Sequence, residues 1–496
     1  MNKQSAIPFS PHLVTNPIDA NKEKQSIYLS MINIFLWLLF LGNLIFLGFS
    51  FSDHFIFNWE GIILINRFTL IICSTVTFFS AILNTYSKSY LTGFKFQNEF
   101  VNLSLGFTFS VMLFVAANNV LLFIFSWFAM GFFMARLIGI NTDWKEAKEA
   151  AKFAQKNFLL GTLFLVSGVL LLAFQTNSFQ ISEILIRLNK LPQTVLFIAA
   201  IFIIISAIIQ SAIYPFHKWL LSAMTAPTPA SALMHAGFVN GAGILLAIFS
   251  SLIFYSDTFT LLLIIGGSTA IIAQFTKLLQ VNVKQKLGCS TIAQMGFMIM
   301  QCGLGFFNAA VVHLILHGFY KAYLFLSSGE TVEQSKPMKP DLILIKPTQA
   351  VVVLVYGILG AFLFAKLTGK GIGLDSGIFL TLIVAITVGQ ITYNIVKQQT
   401  LSIWQKAFMP PVLFLTGIAT YALFYNGVTS LMSYMPFVDM PLPLSFIQIT
   451  FGIVFLIGFF IMKLGIYKKV PWLYVKLMNL SQPYSKTVLM FNTKTV

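Results

Sequence analysis

Charge is what this sequence has least of: 9% of its 496 residues are Asp, Glu, Lys or Arg, against roughly 25% in an ordinary soluble domain. Acids are the scarcer half, 15 beside 31 Lys and Arg, and from Thr194 to Ser328 the one carboxylate is Asp257. Cysteine is almost absent too. Cys73, Cys289 and Cys302 have neither paired nor metal-ligand spacing, which excludes a disulfide framework and leaves them as small apolar packing residues. No Cys, His and carboxylate cluster has zinc spacing either; His313 and His317 stand four apart but lack an acidic neighbour in sequence, so no metal centre is expected. The first 26 residues are polar, contain Pro8, Pro11 and Pro17, and lack the apolar core and cleavage site of a signal peptide. Connections between apolar runs reach at most about 20 residues. No soluble domain is therefore left to hold a nucleotide, flavin or iron–sulfur cluster, and no cofactor is expected.

What is present is apolar. The chain is 57% hydrophobic with 53 Phe and a mean hydropathy of +0.84, the composition of an all-α, polytopic membrane protein. Runs of the roughly 20 residues that a bilayer crossing needs fall at 27–51, 66–84, 100–117, 119–140, 158–175, 193–213, 227–255, 258–278, 286–304, 306–328, 348–366, 372–396, 408–425 and 441–463. This predicts about 14 transmembrane helices over residues 27–463, flanked by cytoplasmic tails at 1–26 and 464–496. With the N-terminus inside, 24 of the 31 Lys and Arg lie on the inner side, Arg187, Lys190, Lys366 and Lys370 lie outside, and Arg67, Arg136 and Lys321 fall within spans. That bias satisfies the positive-inside rule with both termini cytoplasmic. The net charge of +16 accordingly points to the lipid bilayer and its inner surface, and not to nucleic acid. One inner loop, DWKEAKEAAKFAQKNF, would place Lys145, Lys148, Lys152 and Lys156 within about 80° of a helix surface. It reads as a solvated or headgroup-facing surface helix, with a docking face for a partner as the alternative.

Against this background HLILHGFYKAYLF, residues 313–325, is anomalous. His313, His317 and Lys321 recur at i, i+4 and i+8, so each step turns about 40° and rises about 6 Å along one helical stripe. A charge at the bilayer centre costs at least about 2.5–3.5 kcal/mol on insertion scales, which makes each one a functional candidate. Lys277 can snorkel to the interface, whereas Lys321 lies about two turns inside its span. Because histidine titrates near neutrality, the stripe could relay protons in short steps; alternatively, the imidazoles satisfy carbonyls and Lys321 pairs with another helix. A second feature is SAIYPFHKWLLSAMTAPTPASALMHAG, residues 211–237, where Pro215 removes a backbone donor and Pro227 and Pro229 break the chain before a helix carrying His235, with His217 between. Broken helices at membrane depth mark ion sites in transporters. FAKLTGKGIG, residues 364–373, is the other candidate interruption.

FHKWLLSAMTAPTPASALMHAG resembles the proline-rich segment of the antiporter-like subunits of respiratory complex I and the Mrp antiporters. VKQKLGCSTIAQMGF, HLILHGFYKAYLFLSSGE and NTYSKSYL resemble neighbouring segments in the same order, over roughly residues 60–330. QMGFMIMQCGLG, HGFYKAYLFLSSG and the tail LYVKLMNLSQPYSKTV are similar to the DabB branch, membrane subunits of inorganic carbon pumps. The resemblance implies two inverted five-helix repeats and a proton pathway along Lys321, His317, His313 and His235, with Lys366 at the second interruption. It also implies the proton or sodium gradient as driving force and a large soluble zinc-binding DabA-like partner that performs the carbon dioxide chemistry. Complex I relatives place a glutamate where this chain has Phe128, after Trp127, and a lysine where it has Gln210. Either the first half-channel works without that pair or only the Lys321 route remains.

The expected function is therefore the ion-translocating subunit of an inorganic carbon pump in a bacterial plasma membrane, a transporter subunit and not itself an enzyme. The alternatives are a proton-pumping subunit of NADH:quinone oxidoreductase and a cation/proton antiporter subunit.

Overall fold

Uncharged apolar runs have one solution in lipid, which is to close every backbone hydrogen bond within the segment as helix. The computed structural model describes residues 21–51, 56–328, 347–396, 401–464 and 466–487, and it is all-α apart from one small hairpin. The elements are α1 (Asn21–Phe49), α2 (Arg67–Tyr90), α3 (Gln97–Ala116), α4 (Val120–Ile138), α5 (Lys145–Thr176), a short α6 (Ile181–Arg187) and α7 (Gln193–Gln210). Next come α8 (Lys218–Ser222), α9 (Thr228–Ala236), α10 (Gly241–Ile248), α11 (Ser250–Tyr255), α12 (Phe259–Leu278), α13 (Val283–Gly303) and α14 (Phe307–Leu326). The chain resumes with α15 (Pro347–Thr368), α16 (Gly377–Val396), α17 (Ile403–Leu431), α18 (Phe446–Leu464) and α19 (Pro471–Leu480).

Among the described residues, 11 segments are long and apolar enough to cross a membrane, against the 14 expected. α13, α16 and α18 occupy three further expected spans but miss that criterion over their described residues. In α13 the cause is the set of polar residues spread along it, Lys284, Gln285, Lys286, Gln294 and Gln301.

Short connections make sequence neighbours pack antiparallel, as α1 on α2, α3 on α4, and α12 on α13 do. α1 exposes Met31, Ile34, Leu38 and Ile45 along its length. A row of that extent suits acyl chains and would be a liability in water. α9 and α10 lie at the other extreme, enclosed on every side. Burial thus sorts the helices into a lipid-facing shell and a protein-enclosed centre.

At the lysine-poor end, β1 (Phe57–Trp59) pairs antiparallel with β2 (Ile63–Ile65) in the register Phe57↔Ile65. The hairpin turn is made by Glu60 and Gly61, both at positive φ. Ile63 then bridges to Ala117 and Asn119 to Gln180, which laces three connections together. At the lysine-rich end the run at 143–158 is not a separate surface helix. α5 is continuous because Ala147, Ala150, Ala154, Phe158, Gly161 and Leu165 make one unbroken buried stripe, which leaves Lys145, Lys148, Lys152 and Lys156 exposed on the opposite side. The segment after α18 also folds back: the Tyr484 N–H donates to Ser222 Oγ at 2.9 Å, and its ring stacks on Phe153 at 4.3 Å. The 1–20 part of the N-terminal tail and residues 488–496 lie outside the described residues.

Candidate functional site

α14 brings the predicted stripe into the centre. Its apolar residues pack against α9, α10, α13 and α17, and the stripe follows as a consequence of helical periodicity. Lys321 is 0% exposed, and its Nζ donates to the Leu287 carbonyl of α13 at 3.1 Å. None of the ion pairs among the described residues involves it. The His313 and His317 rings lie nearly parallel with centroids 5.8 Å apart, and Phe297 of α13 meets His313 edge-on. From α9, His235 stacks on Phe325 at 4.4 Å and couples electrostatically to Lys321, as do His317 and, from α12, Lys277.

Both ring nitrogens of His235, both of His317 and Nε2 of His313 are buried without a protein hydrogen-bond partner. A buried polar atom left unpaired costs about 1–3 kcal/mol, so five in one place mark a polar cluster that the apolar core does not need for stability. Arg67 and Arg136, grouped by sequence with Lys321, differ from it. Arg67 opens α2 and donates through Nε to the Ser50 carbonyl, and Arg136 closes α4 beside Glu99 at the surface.

The segment at 211–237 breaks before a helix that carries His235, and the expected 227–255 span holds a further interruption. Pro227 and Pro229 stand at the very start of α9, where a missing N–H costs nothing, so they launch the helix that carries His235. The interruption within the expected 227–255 span comes later, at Gly237–Asn240, between α9 and α10. Asn240 Nδ2 donates to the Ala236 carbonyl at 2.7 Å and to the Leu314 carbonyl of α14 at 3.2 Å. The break is thereby tied to the helix that carries the stripe. Gln210 donates to the Phe238 carbonyl at 3.4 Å, and Ser211 Oγ to that of Val239. Gln210, where the resemblance would place a lysine, uses its amide to satisfy broken backbone, and Phe128 is 38% exposed on the outside of α4.

His217 does not join the stripe. Its Nε2 meets the Leu480 carbonyl at 2.8 Å, and burial pushes its imidazole down to about 4, so the neutral ring pins α19 to the connection after α7. Pro215 lies exposed in the same connection. Lys366 is exposed in the last turn of α15, and nothing brings it to the stripe. The lysine that turns inward there is Lys370. Asn240 and Lys370 were missed by sequence reasoning, although Lys370 carries a signal in its flanking glycines, Gly369 and Gly371.

Residues 117–357 match the family described as NADH:quinone oxidoreductase/Mrp antiporter, TM. A probable inorganic carbon transporter subunit DabB of Bacillus anthracis is 36% identical over 306 residues, covering 60% of this chain and 59% of that protein. NADH-quinone oxidoreductase subunit L of Rickettsia bellii is 32% identical over 295 residues, covering 56% and 45%. The chain thus spans about half to three-fifths of the length of the curated relatives it matches. The Mrp complex from Dietzia sp. DQ12-45-1b shares the fold, with a TM-score of 0.55 at 20% identity over 92% of this chain and 49% of that one. Residues 117–357 are thus similar to the NADH:quinone oxidoreductase/Mrp antiporter transmembrane family, and the sequence resembles DabB inorganic carbon transporter subunits over about three-fifths of its length.

Proposed function

We propose that the chain is the ion-translocating subunit of an energy-coupled inorganic carbon pump in a bacterial plasma membrane. Protons, or sodium ions in a sodium-coupled version, move through it down their gradient. A separate zinc-containing DabA-like subunit converts carbon dioxide to bicarbonate. One observation carries this reading: the stripe of buried Lys321 and His317 and half-buried His313, with buried His235 beside it, offers a row of imidazole nitrogens without protein hydrogen-bond partners. Parallel imidazoles 5.8 Å apart are within the reach of a single bridging water, and each can bind a proton on one nitrogen while releasing one from the other. Lys321, hydrogen-bonded to a neutral carbonyl and not to a carboxylate, is free to alternate between ammonium and amine.

Similarity to subunit L favours a second reading, a proton-pumping subunit of NADH:quinone oxidoreductase. The replacement of the usual charge pair by Phe128 and Gln210 weighs against it. In vesicles holding the complete pump, Lys321→Ala should abolish gradient-driven bicarbonate uptake while the purified complex keeps its composition. Full uptake by that variant would remove Lys321 from the mechanism. A protonophore should stop wild-type uptake; arrest by sodium depletion alone would make sodium the coupling ion.

A further inference from the structure

The polar groups of α14 do not end at His313. One and a half turns toward the lysine-poor end, Asn308 is fully buried and donates through Nδ2 to Tyr425 Oη of α17 at 3.1 Å and to Thr429 Oγ1 at 2.8 Å. Tyr425 Oη in turn lies 3.5 Å from Asp439 Oδ1, and the same carboxylate oxygen is 2.6 Å from Lys370 Nζ. The two side chains of this pair are 12% and 24% exposed, the least exposed pair of the ion pairs among the described residues. Lys370 also lies over the Phe306 ring at 5.1 Å.

The surroundings hold this group firmly in place. Lys370 stands between Gly369 and Gly371, both at positive φ, and a Cβ on Gly371 would meet Thr381 Oγ1 at 2.0 Å. Asp439 is bridged to Phe306, the Met440 N–H donates to the Gly305 carbonyl, and the Asn308 N–H donates to the Val438 carbonyl. The α15–α16 and α17–α18 connections therefore meet directly over the start of α14. The Tyr421 ring stacks on Tyr425 from one turn earlier on α17, and its hydroxyl meets Gln301 of α13.

We propose that the Lys370–Asp439 pair is the outer gate of the α14 pathway, with Asp439 as the first proton acceptor and Tyr425 as the group that takes the proton from it. This rests on reading α14 as a proton conductor. Asn308 donates to Tyr425 Oη, which leaves one phenol lone pair free to take a proton from the carboxyl. A proton from the outer solution binds Asp439, which then no longer holds Lys370, and the ion pair opens. In the transfer, the Asp439 O–H bond breaks, an O–H bond forms on Tyr425 Oη, and the phenol gives up its own proton toward the His313 side. No group is oxidised or reduced. The ionised Asp439 takes Lys370 back, so a closed pair follows each proton in and blocks backflow.

Flux of the reconstituted complete complex, read with an entrapped pH dye beside its thermal midpoint in detergent, tests this. Asp439→Asn and Tyr425→Phe should each cut flux at least tenfold, and Asp439→Glu should retain most of it. The paired exchange Lys370→Asp with Asp439→Lys decides between gate and tie: it should restore the thermal midpoint but not the flux, because a lysine held as ammonium beside Tyr425 does not pass a proton on to it. Recovery of both would make the pair a structural strut and overturn the gate, as would full flux in Asp439→Asn while Lys321→Ala is inactive. Blocked flux in Asp439→Asn with normal flux in Lys321→Ala would instead sink the α14 relay and leave the outer acceptor standing.

Discussion

Asn240 is a neutral amide placed against two carbonyls, those of Ala236 and Leu314. Both hydrogen bonds use its NH2 group, which makes the site selective for a donor. Asn240→Ala leaves two enclosed carbonyls without this donor, at about 1–3 kcal/mol for such a loss. Asn240→Asp is expected to be worse, because an ionised carboxylate is acceptor-only and would face the same carbonyls. The thermal midpoint in detergent should therefore fall in the order wild type, Asn240→Ala, Asn240→Asp; a midpoint for Asn240→Asp at or above that of Asn240→Ala would refute this assignment. Little of this was legible in the sequence, since an asparagine near a glycine is an ordinary turn signal. The stripe on α14 was legible, because its three residues lie on one helix and helical periodicity alone aligns them. Lys370 and Asp439 are 69 positions apart, and nothing local links them.

Among the elements, α12 and α13 approach most closely. A Cβ added to Gly296 would lie 2.7 Å from the Ala270 backbone N, and one on Gly266 would lie 2.5 Å from Met300 N. Small residues at facing positions let membrane helices touch backbone to backbone, and dispersion contact is the main force available between helices in lipid. Lys321 depends on this seam, since α13 supplies the Leu287 carbonyl that it bonds. Gly296→Val should destabilise the protein by about 1–3 kcal/mol through overpacking and lower its thermal midpoint. Gly417→Ala on α17, where nothing lies within 4 Å of the added Cβ, should leave it unchanged. Equal midpoints for the two variants would show that the α12–α13 seam is not tightly packed. The elements themselves were mostly foreseeable from apolar runs, but α5 was not foreseen as continuous. Its buried alanines look unremarkable beside so many lysines, and only the packing shows that one stripe runs through both parts.

For the whole molecule, the lysine distribution predicts orientation. Lys148 and Lys190 are both exposed, at opposite ends of the bundle, and the three native cysteines are buried. A membrane-impermeant maleimide should label Lys190→Cys in intact cells and Lys148→Cys only after the membrane is opened. Reversed labelling would invert the topology and with it the direction assigned to the Lys370–Asp439 gate.

Composition, apolar run length and charge bias were enough to determine a helical membrane protein, its approximate spans and the presence of titratable groups at depth. These properties are set by local exchange between water, lipid and backbone hydrogen bonds, and each can be read within one turn or one span. Tertiary structure alone decided where the central helix breaks, which lysine of the 364–373 segment turns inward, and that Asn308, Tyr425, Asp439 and Lys370 form one group. Those outcomes depend on which distant carbonyl or carboxylate arrives to pair with a side chain, and that is fixed only when helices far apart in sequence pack together.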